Sequence, residues 1–277
     1  MRRVHDDLVT FAGLPWHVRI EGPTGTGKSI AARVLHRLSR RGDAAFVLCS
    51  LASVPDTTAI GELVGYRRGA FTGAYENHAG KFEAAHGGTL FLDEIGTAGP
   101  EVQRALLQFV DTGIVQRLGE VRERPVDARL IFATNEDLQS LVAAGRFRAD
   151  LFYRMGQLVV RMPPLVDHLE DLPELIRHLL AAKSDEGGIA APLLTPTDIE
   201  RLMAYHWPGN VRELAAVAEQ IVVFGGLPDS FHHRPISRHW RDQISETLER
   251  CGGNRAAAAR LLGVSRQSLH RALQKEA

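Results

Sequence analysis

The segment GPTGTGKS, residues 22–29, constrains the fold of this chain more than any other stretch. It fits the pattern G-x-x-x-x-G-K-[S/T] in full, and it stands after the strand-like run HVRI and before a helical pattern. Glycines at these positions let the backbone curl so that its N–H groups point inward at phosphate oxygens. The segment therefore predicts an α/β domain that binds a nucleotide by its phosphates.

Each residue type in this loop has a chemical role. We expect Lys28 to reach the β- and γ-phosphates and the Ser29 hydroxyl to bind Mg²⁺. The helix that begins near Ser29 adds its positive end. A chance glycine-rich turn is the alternative, and the strand and helix on either side argue against it. The nucleotide-binding residues predicted here are Gly22, Pro23, Thr24, Gly25, Thr26, Gly27, Lys28 and Ser29.

Polar residues also end two further strand-like runs. Asp93 and Glu94 follow the apolar residues of TLFLDE, at the strand end where ligands bind in parallel sheets. We expect Asp93 to hold Mg²⁺, through water, and Glu94 to orient and polarise the attacking water. Asn135, which ends LIFATN, is a candidate contact to the γ-phosphate or the water, although such an Asn is usually a turn former. A solvated acidic strand end is the alternative for the carboxylates. Together these residues predict ATP hydrolysis by positioning and charge neutralisation.

The alternation of apolar runs and helical patterns predicts the domain organisation. Four strand-like runs, WHVRIEG, AAFVLCSL, GTLFLDE and ARLIFATN, alternate with helices over residues 1–163, which predicts an α/β ATPase subdomain with a largely parallel sheet. Pro163 and Pro164 break the chain, and helical patterns over 164–227 predict a small lid. Residues 228–236 have the composition of a linker, and 237–277 form a third, helical unit.

Composition excludes several classes of protein. The 277 residues are 44% hydrophobic and 24% charged, which is ordinary for a globular protein. No run approaches the roughly 20 apolar residues of a membrane span, and no signal peptide is visible. Cys49 and Cys251 form neither a metal-binding spacing nor a disulfide framework. A cytoplasmic protein with reduced thiols is therefore expected. The net charge is zero, but residues 231–277 hold nine Lys/Arg and four Asp/Glu, a net of +5.

Six motifs carry a family resemblance: GTGK, GAFTGA, GGTLFLDEIG, LIFATN, GRFRADLFYRM and WPGNVREL. With them the chain resembles the sigma-54-dependent transcription activators, or bacterial enhancer-binding proteins. The resemblance runs from about Met1 to Phe224 and again across the C-terminal unit. It implies an α/β fold in which the parallel sheet of a P-loop AAA+ domain is flanked by helices. A helical lid and an all-α helix-turn-helix domain of the Fis type would follow.

The hexapeptide GAFTGA implies a contact with sigma-54. In the family this segment tips a loop that touches sigma-54 while ATP turns over. Phe71 and Thr72 would make the contact, with Gly69 and Gly73 as hinges. An exposed aromatic ring between hinges can be buried only against a partner. The alternative is a hairpin tip whose Phe folds back onto its own core. The residues assigned to this contact are Gly69, Ala70, Phe71, Thr72, Gly73 and Ala74.

Three arginines resemble residues that complete the family's ATP site. Arg148 and Arg154 correspond to a pair that reaches the ATP of a neighbouring subunit, and Arg154 is the better candidate for the catalytic finger. Arg212 corresponds to the lid arginine that senses the γ-phosphate within its own subunit. A site completed by a neighbour implies a closed ring, which is expected to be a hexamer. For each arginine taken alone, an ordinary surface ion pair would be the favoured interpretation.

The C-terminal unit reads as three helices. Gly252 and Gly253 would stop the first helix and Asn254 would cap the second. The pattern resembles a Fis-type helix-turn-helix, in which Arg and Gln can read base edges in the major groove of double-stranded DNA. A basic helical tail with a solvated face is the alternative. The predicted DNA-binding residues are Ser265, Arg266, Gln267, His270 and Arg271.

Two departures from the family leave alternatives open. No receiver or ligand-sensing domain precedes the core, so we expect control by another protein, by expression level or by sequence upstream. Ser50 stands where the family commonly has Asn, which predicts weaker coupling between the γ-phosphate and the loop. The leading interpretation is an ATP-driven activator that binds upstream DNA and remodels sigma-54 RNA polymerase holoenzyme. A DNA-binding regulator with a degenerate or weakly active ATPase domain is the second, and a general AAA+ remodeller, disfavoured by the helix-turn-helix, is the third.

Overall fold

The computed structural model describes residues 1–52, 56–227, 231, 247–249 and 251–261. These residues fall into two compact units. The α/β unit consists of Arg2–Gly22 and Lys28–Met162. The helical unit consists of Met1, Pro23–Gly27 and the described residues from Pro163 onward. The five residues Pro23–Gly27 therefore pack with the helical unit, although in sequence they interrupt the α/β unit.

The strands of the α/β unit, in chain order, are β1 (Val18–Glu21), β2 (Phe46–Ser50), β3 (Gly65–Tyr66), β4 (His78–Ala79), β5 (Thr89–Asp93), β6 (Ile114–Gln116), β7 (Glu123–Pro125), β8 (Arg129–Thr134) and β9 (Leu158–Arg161). Its helices are α1 (Arg2–Ala12), α2 (Lys28–Arg37), α3 (Asp56–Val64), α4 (Lys81–Ala84), α5 (Pro100–Thr112), α6 (Leu138–Ala143) and α7 (Ala149–Arg154). A single 3₁₀ turn, Ile95–Thr97, follows β5.

Five of these strands form one parallel sheet in the order β2-β5-β8-β1-β9. All six residues of β8 are buried, because hydrophobic clusters cover the sheet on both faces. The predicted α/β fold with a parallel sheet is confirmed, and the four predicted strand runs all lie in this sheet. Because the strands are parallel, β1, β5 and β8 end at the same edge of the sheet, which is where ligands bind in such folds.

Two small antiparallel pairs stand outside this sheet. β3 pairs with β4, and the segment between them contains the hexapeptide of residues 69–74. β6 pairs with β7 to form a second hairpin. The backbones of the two hairpins are hydrogen-bonded, since Arg67 donates to the Leu118 carbonyl at 2.9 Å and Leu118 donates to the Gly65 carbonyl at 3.0 Å.

The helical unit packs three helices, α8 (Leu172–Gly187), α9 (Pro196–Met203) and α10 (Asn210–Phe224), around an apolar core that includes the fully buried Trp207. Thr195 caps α9. Its side chain accepts from the backbone N–H of Asp198, and the Asp198 carboxylate accepts from the N–H of Thr195 in return. Such a reciprocal pair satisfies two otherwise unpaired donors at the helix start.

The last described helix, α11 (Arg255–Leu261), begins as the sequence predicts. Gly252 and Gly253 have φ values of 58° and 80°, and the Asn254 Oδ1 atom accepts from two backbone N–H groups of the first turn. The predicted DNA-binding residues Ser265, Arg266, Gln267, His270 and Arg271 lie outside the described residues, as does nearly all of the predicted linker. Within the described ranges, no helix combines the length and apolar character that crossing a membrane requires.

Candidate functional site

The start of the phosphate loop is packed against the end of the sheet. A Cβ atom on Gly22 would lie 2.6 Å from the Met162 carbonyl oxygen, so only glycine fits there. The side chain of Lys28 is buried, and its Nζ atom donates to the Gly22 carbonyl at 3.0 Å. Ser29 is exposed in the first turn of α2. The Lys28 side chain thus folds back over the phosphate loop of which it is part.

The middle of the loop is held by the first residues of α10, within the helical unit. Gly25 has φ 80°, and a Cβ atom there would collide with the Gly209 carbonyl oxygen. The backbone N–H of Arg212 donates to the Gly25 carbonyl at 3.2 Å. The Nδ2 atom of Asn210 donates to the Thr24 carbonyl at 2.9 Å. The predicted residue Arg212 therefore lies beside the loop, with its side chain exposed.

Asn210 is a loop-holding residue that sequence reasoning missed. It lies within the motif WPGNVREL, and its partner on the loop is 186 residues away in sequence. A positive φ of 53° at a buried Asn is the local sign of a constrained position. The pairing itself leaves no pattern that spacing could reveal.

The acidic end of β5 has an unusual backbone conformation. Glu94 has φ 56° and ψ 49°, the left-handed region, which costs a non-glycine residue on the order of 1–3 kcal/mol. The Asp93 carboxylate accepts from the Glu94 N–H at 3.1 Å. The Glu94 carbonyl accepts from both the N–H and the hydroxyl of Thr97, at 3.0 and 2.8 Å. These bonds hold the turn that carries both carboxylates, which are partly exposed.

Two more predicted residues lie at this edge of the sheet. Asn135 directly follows β8, the strand between β5 and β1, and is exposed. Ser50 pairs with Asp93 in the register of β2 and β5. The strand-end residues that the sequence predicted as site residues therefore lie at one edge of the sheet.

The residues at this edge fit a magnesium nucleotide. The glycines allow backbone approaches that a Cβ atom would block, and Lys28 supplies a cation within the loop. Ser29 and Asp93 offer a hydroxyl and a carboxylate, which are the hard oxygen donors that Mg²⁺ prefers. Two protein ligands suffice for Mg²⁺, because it usually keeps several waters and takes oxygens from the phosphates.

The hexapeptide forms a closed hairpin tip. The N–H of Gly69 donates to the Ala74 carbonyl at 2.9 Å, and Gly69 and Gly73 have φ values of 83° and 105°. Ala74 is buried, in contrast to Thr72 and the two glycines, which are exposed.

Phe71 is not the bare aromatic that the sequence suggested. Its side chain is 47% exposed, and its ring meets the ring of Tyr66 edge-on, with centroids 5.0 Å apart. Tyr66 in turn stacks on His78 at 5.0 Å. Tyr75, just after the hexapeptide, is the more exposed aromatic, at 83%. The Phe71 ring therefore leans on the base of its own hairpin and leaves one part open to a partner.

The second hairpin is anchored by an ion-pair cluster that sequence reasoning missed. Arg117 makes two hydrogen bonds to the Glu83 carboxylate, at 2.6 and 2.7 Å, and Arg124 lies 3.6 Å from it. The hydrogen bonds from Arg117 hold the pKa of Glu83 below its usual range. Gly119, at the tip of this hairpin, lies directly against Ala70 of the hexapeptide. The cluster thus fixes the hairpin on which the hexapeptide rests.

Both predicted trans arginines form ion pairs within the chain. Arg148 makes a bidentate pair with Asp150, at 3.0 and 2.7 Å, which lowers the pKa of Asp150 to about 2. Arg154 lies 3.1 Å from the Asp111 carboxylate and is well exposed. A neighbouring subunit could recruit either guanidinium only by competing with these carboxylates.

Family models match most of the chain. Residues 1–161 match the Sigma-54 interaction domain, residues 167–231 match the AAA+ ATPase lid domain, and residues 241–275 match the Fis family of bacterial regulatory proteins.

Curated relatives align with nearly the whole chain. The C4-dicarboxylate transport transcriptional regulatory protein DctD of Pseudomonas aeruginosa is 39% identical over 99% of this chain and 62% of its own length. The transcriptional regulatory protein ZraR of Klebsiella oxytoca is 38% identical over 97% of this chain and 66% of its own length. The chain therefore spans less than two thirds of the length of these relatives.

Solved structures of NtrX from Brucella abortus resemble this chain over 99% of its length and about two thirds of their own. The complex with ADP has a TM-score of 0.77 at 27% identity. The complex with ATP has a TM-score of 0.75 at 29% identity. The fold seen here is therefore one that binds adenine nucleotides in a similar protein.

Proposed function

Because this chain belongs to the sigma-54-dependent transcriptional regulators, with an AAA+ domain and a Fis-type helix-turn-helix, we propose that it is an ATP-hydrolysing transcription activator. It would bind double-stranded DNA upstream of a promoter and use ATP to remodel the sigma-54 RNA polymerase holoenzyme. The same proposal assigns the domain limits given above, 1–163, 164–227, 228–236 and 237–277.

One observation carries the proposal for hydrolysis. The phosphate loop, the Asp93–Glu94 turn and Asn135 follow strands that end at one edge of a single parallel sheet. Glu94 is held there in a strained left-handed conformation, which is typical of functional positions. A degenerate site would not need to maintain this strain.

Each residue then has a distinct task. Bound MgATP supplies the transferable γ-phosphoryl group and the cation that neutralises its charge. Lys28 binds the β- and γ-phosphates, and Ser29 and Asp93 hold the cation. Glu94 orients the attacking water and polarises it, while Asn135 contacts the same water or the γ-phosphate. Arg212 contacts the γ-phosphate from its place beside Gly25.

The proposed partners follow from the arginines and the two hairpins. Arg154, with Arg148, would enter the ATP site of a neighbouring copy, so the assembly must be a closed ring, which we propose is hexameric. Phe71 and Thr72 would contact sigma-54, because a half-exposed ring on a hairpin tip gains buried area only against a partner. Arg266, Gln267, His270 and Arg271 would contact DNA, with Ser265 at the start of their helix.

The first experiment compares ATP hydrolysis by the wild type, Glu94→Gln and a matched control, Glu101→Gln. Glu101 is exposed on α5 and paired with Arg104, so its loss should leave the rate unchanged. Glu94→Gln should reduce kcat by at least about a hundredfold while ATP still binds, since it removes the group that orients the water.

A transcription assay with sigma-54 holoenzyme separates the two leading functions. Activation that disappears with Glu94→Gln supports an ATP-driven activator. Activation that survives Glu94→Gln would instead favour the DNA-binding regulator with a degenerate ATPase domain. Binding of sigma-54 in the presence of ADP and aluminium fluoride, and its loss with Thr72→Ala, tests the hexapeptide contact.

A further inference from the structure

Gly96 is a glycine for a reason that its backbone does not explain. It lies in the turn after β5, two residues beyond Glu94, and its φ is not among the positive values of the chain. A Cβ atom on Gly96 would instead meet the side chain of Glu136, colliding with Oε2 and lying 3.2 Å from both Cβ and Cδ. The absence of a side chain at Gly96 therefore leaves the space that the Glu136 side chain occupies.

Glu136 follows Asn135 at the end of β8, and contacts hold both its backbone and its carboxyl group. Its backbone N–H donates to the Thr134 hydroxyl at 2.9 Å, which holds the turn that also carries Asn135. Its carboxyl group lies against Gly96, and its Oε2 atom is buried without a hydrogen-bond partner among the described residues. Burying such an atom without a partner is unfavourable, so this placement is not the preference of a free side chain.

The contact joins the two strand ends that carry the proposed chemistry. Asn135 and Glu136 are adjacent on one side, and Glu94 and Gly96 share a single 3₁₀ turn on the other. A displacement of either turn would change the distance between Asn135 and Glu94, and a misplacement of about 1 Å can cost a hundredfold in rate.

We infer that Glu136 is a positioning residue that sets Asn135 relative to Glu94 by filling the space left by Gly96. This inference rests on the proposed ATP hydrolysis. Glu136 acts by its shape, through its contact with Gly96, and not by binding the nucleotide. Gly96 is the other residue of this contact, because it leaves the space that the Glu136 side chain fills.

The test is a double-mutant cycle with Gly96→Ala, Glu136→Ala and the pair together. Gly96→Ala alone should lower kcat about tenfold with little change in KM for ATP, because the methyl group pushes the two turns apart. In the Glu136→Ala background the same change should cost less than about threefold, because most of the obstruction is gone. Glu136→Gln, which keeps the shape, should stay within about threefold of the wild-type kcat.

Controls separate this inference from the proposed function. Gly61→Ala places a methyl group where the nearest atom is 3.4 Å away, so it should change nothing. The dissociation constant of a fluorescent ATP analogue should stay within about twofold in every variant, since the phosphate loop is untouched. Equal losses from Gly96→Ala in both backgrounds, or a Glu136→Gln loss as large as that of Glu136→Ala, would overturn the inference while leaving hydrolysis standing.

The stability of the same four proteins, the wild type, the two single variants and the double variant, is also compared by urea unfolding. The midpoint should fall for Gly96→Ala alone and fall by clearly less when Glu136→Ala is present. If the wild type hydrolyses no more ATP than Lys28→Ala, the proposed function fails. The unfolding cycle then decides alone, and additive shifts in the midpoint would show that the contact between Gly96 and Glu136 does not exist.

Discussion

Asn210 ties the phosphate loop to the helical unit through its Nδ2 atom, which donates to the Thr24 carbonyl at 2.9 Å. The Oδ1 atom of the same side chain accepts from the Leu165 N–H at 2.8 Å. Asn210 is buried and has a positive φ, a conformation that Asn tolerates better than most residues. One side chain thus links the loop, the start of α10 and the segment that enters the helical unit.

Asn210→Ala should therefore lower both stability and affinity for ATP. It removes the hydrogen bonds to the Thr24 carbonyl and the Leu165 N–H, and each lost bond costs about 0.5–1.5 kcal/mol in the free energy of unfolding. The dissociation constant for a fluorescent ATP analogue should rise, because Thr24 loses its support. Urea unfolding and nucleotide titration measure the two effects.

Asn210→Asp provides a sharper comparison, and Gln220→Ala a control. Asp keeps the acceptor for Leu165, but it replaces the donor to Thr24 with a carboxylate oxygen and buries a negative charge beside the phosphate loop. Nucleotide affinity should therefore fall at least as much as in Asn210→Ala. Gln220 is exposed on α10 and should be silent. Unchanged nucleotide affinity in both Asn210 variants would show that the loop does not depend on this side chain.

Arg154 should be needed for hydrolysis in an assembled ring and dispensable for ATP binding. Arg154→Ala is expected to lower kcat by about a thousandfold or more, since a trans arginine stabilises charge that develops on the γ-phosphate. Asp111→Asn removes the carboxylate that lies 3.1 Å from Arg154 and should leave kcat equal or higher.

Mixing subunits checks the trans assignment. Arg154→Ala subunits keep an intact Glu94, and Glu94→Gln subunits keep an intact Arg154. A mixture should hydrolyse more ATP than either variant alone if the arginine acts on a neighbour. A mixture with no gain, together with a wild-type rate for Arg154→Ala alone, would assign Arg154 to its surface ion pair.

The edge-on contact of Phe71 with Tyr66 should pre-organise the hexapeptide for its partner. Edge-on aromatic pairs contribute about 0.5–1.5 kcal/mol, so Tyr66→Leu should weaken binding of sigma-54 by about two- to tenfold. Native gels with ADP and aluminium fluoride measure this. Tyr75→Leu is the matched comparison, because Tyr75 is far more exposed than Phe71. A larger loss with Tyr75→Leu than with Tyr66→Leu would show that binding of sigma-54 depends on Tyr75 and not on the edge-on contact of Phe71 with Tyr66.

The sequence predicted the parts of this fold that have a local signature. Four strands were visible as continuous apolar runs, and the loop of residues 22–29 has a fixed spacing. β9 was missed, because a four-residue run beside a proline pair shows its role only through its pairing with β1. The contact of Gly96 with Glu136 and that of Asn210 with Thr24 were also missed. Each joins residues far apart in sequence, so only the folded chain reveals why Gly96 has no side chain.

His17 should make the α/β unit less stable at mildly acidic pH. Its Nδ1 atom accepts from the Leu130 N–H at 3.1 Å, which only the unprotonated nitrogen can do. Burial, together with the nearby Arg129 and Arg41, lowers the pKa of His17 from 6.5 to about 4. Because the folded pKa lies below the unfolded one, the unfolded chain binds the proton more readily.

The stabilisation from His17 is therefore complete above pH 6.5 and is lost as the pH falls toward 4, by up to about 3 kcal/mol. Urea unfolding at pH 7 and pH 4.5 measures the loss for the wild type and for His17→Gln. The variant should be less sensitive to pH over this range, because it has no proton to gain. His5→Gln, at an exposed histidine, should keep the wild-type slope. An equal slope in the wild type and His17→Gln would mean that other groups govern the acid sensitivity of the fold.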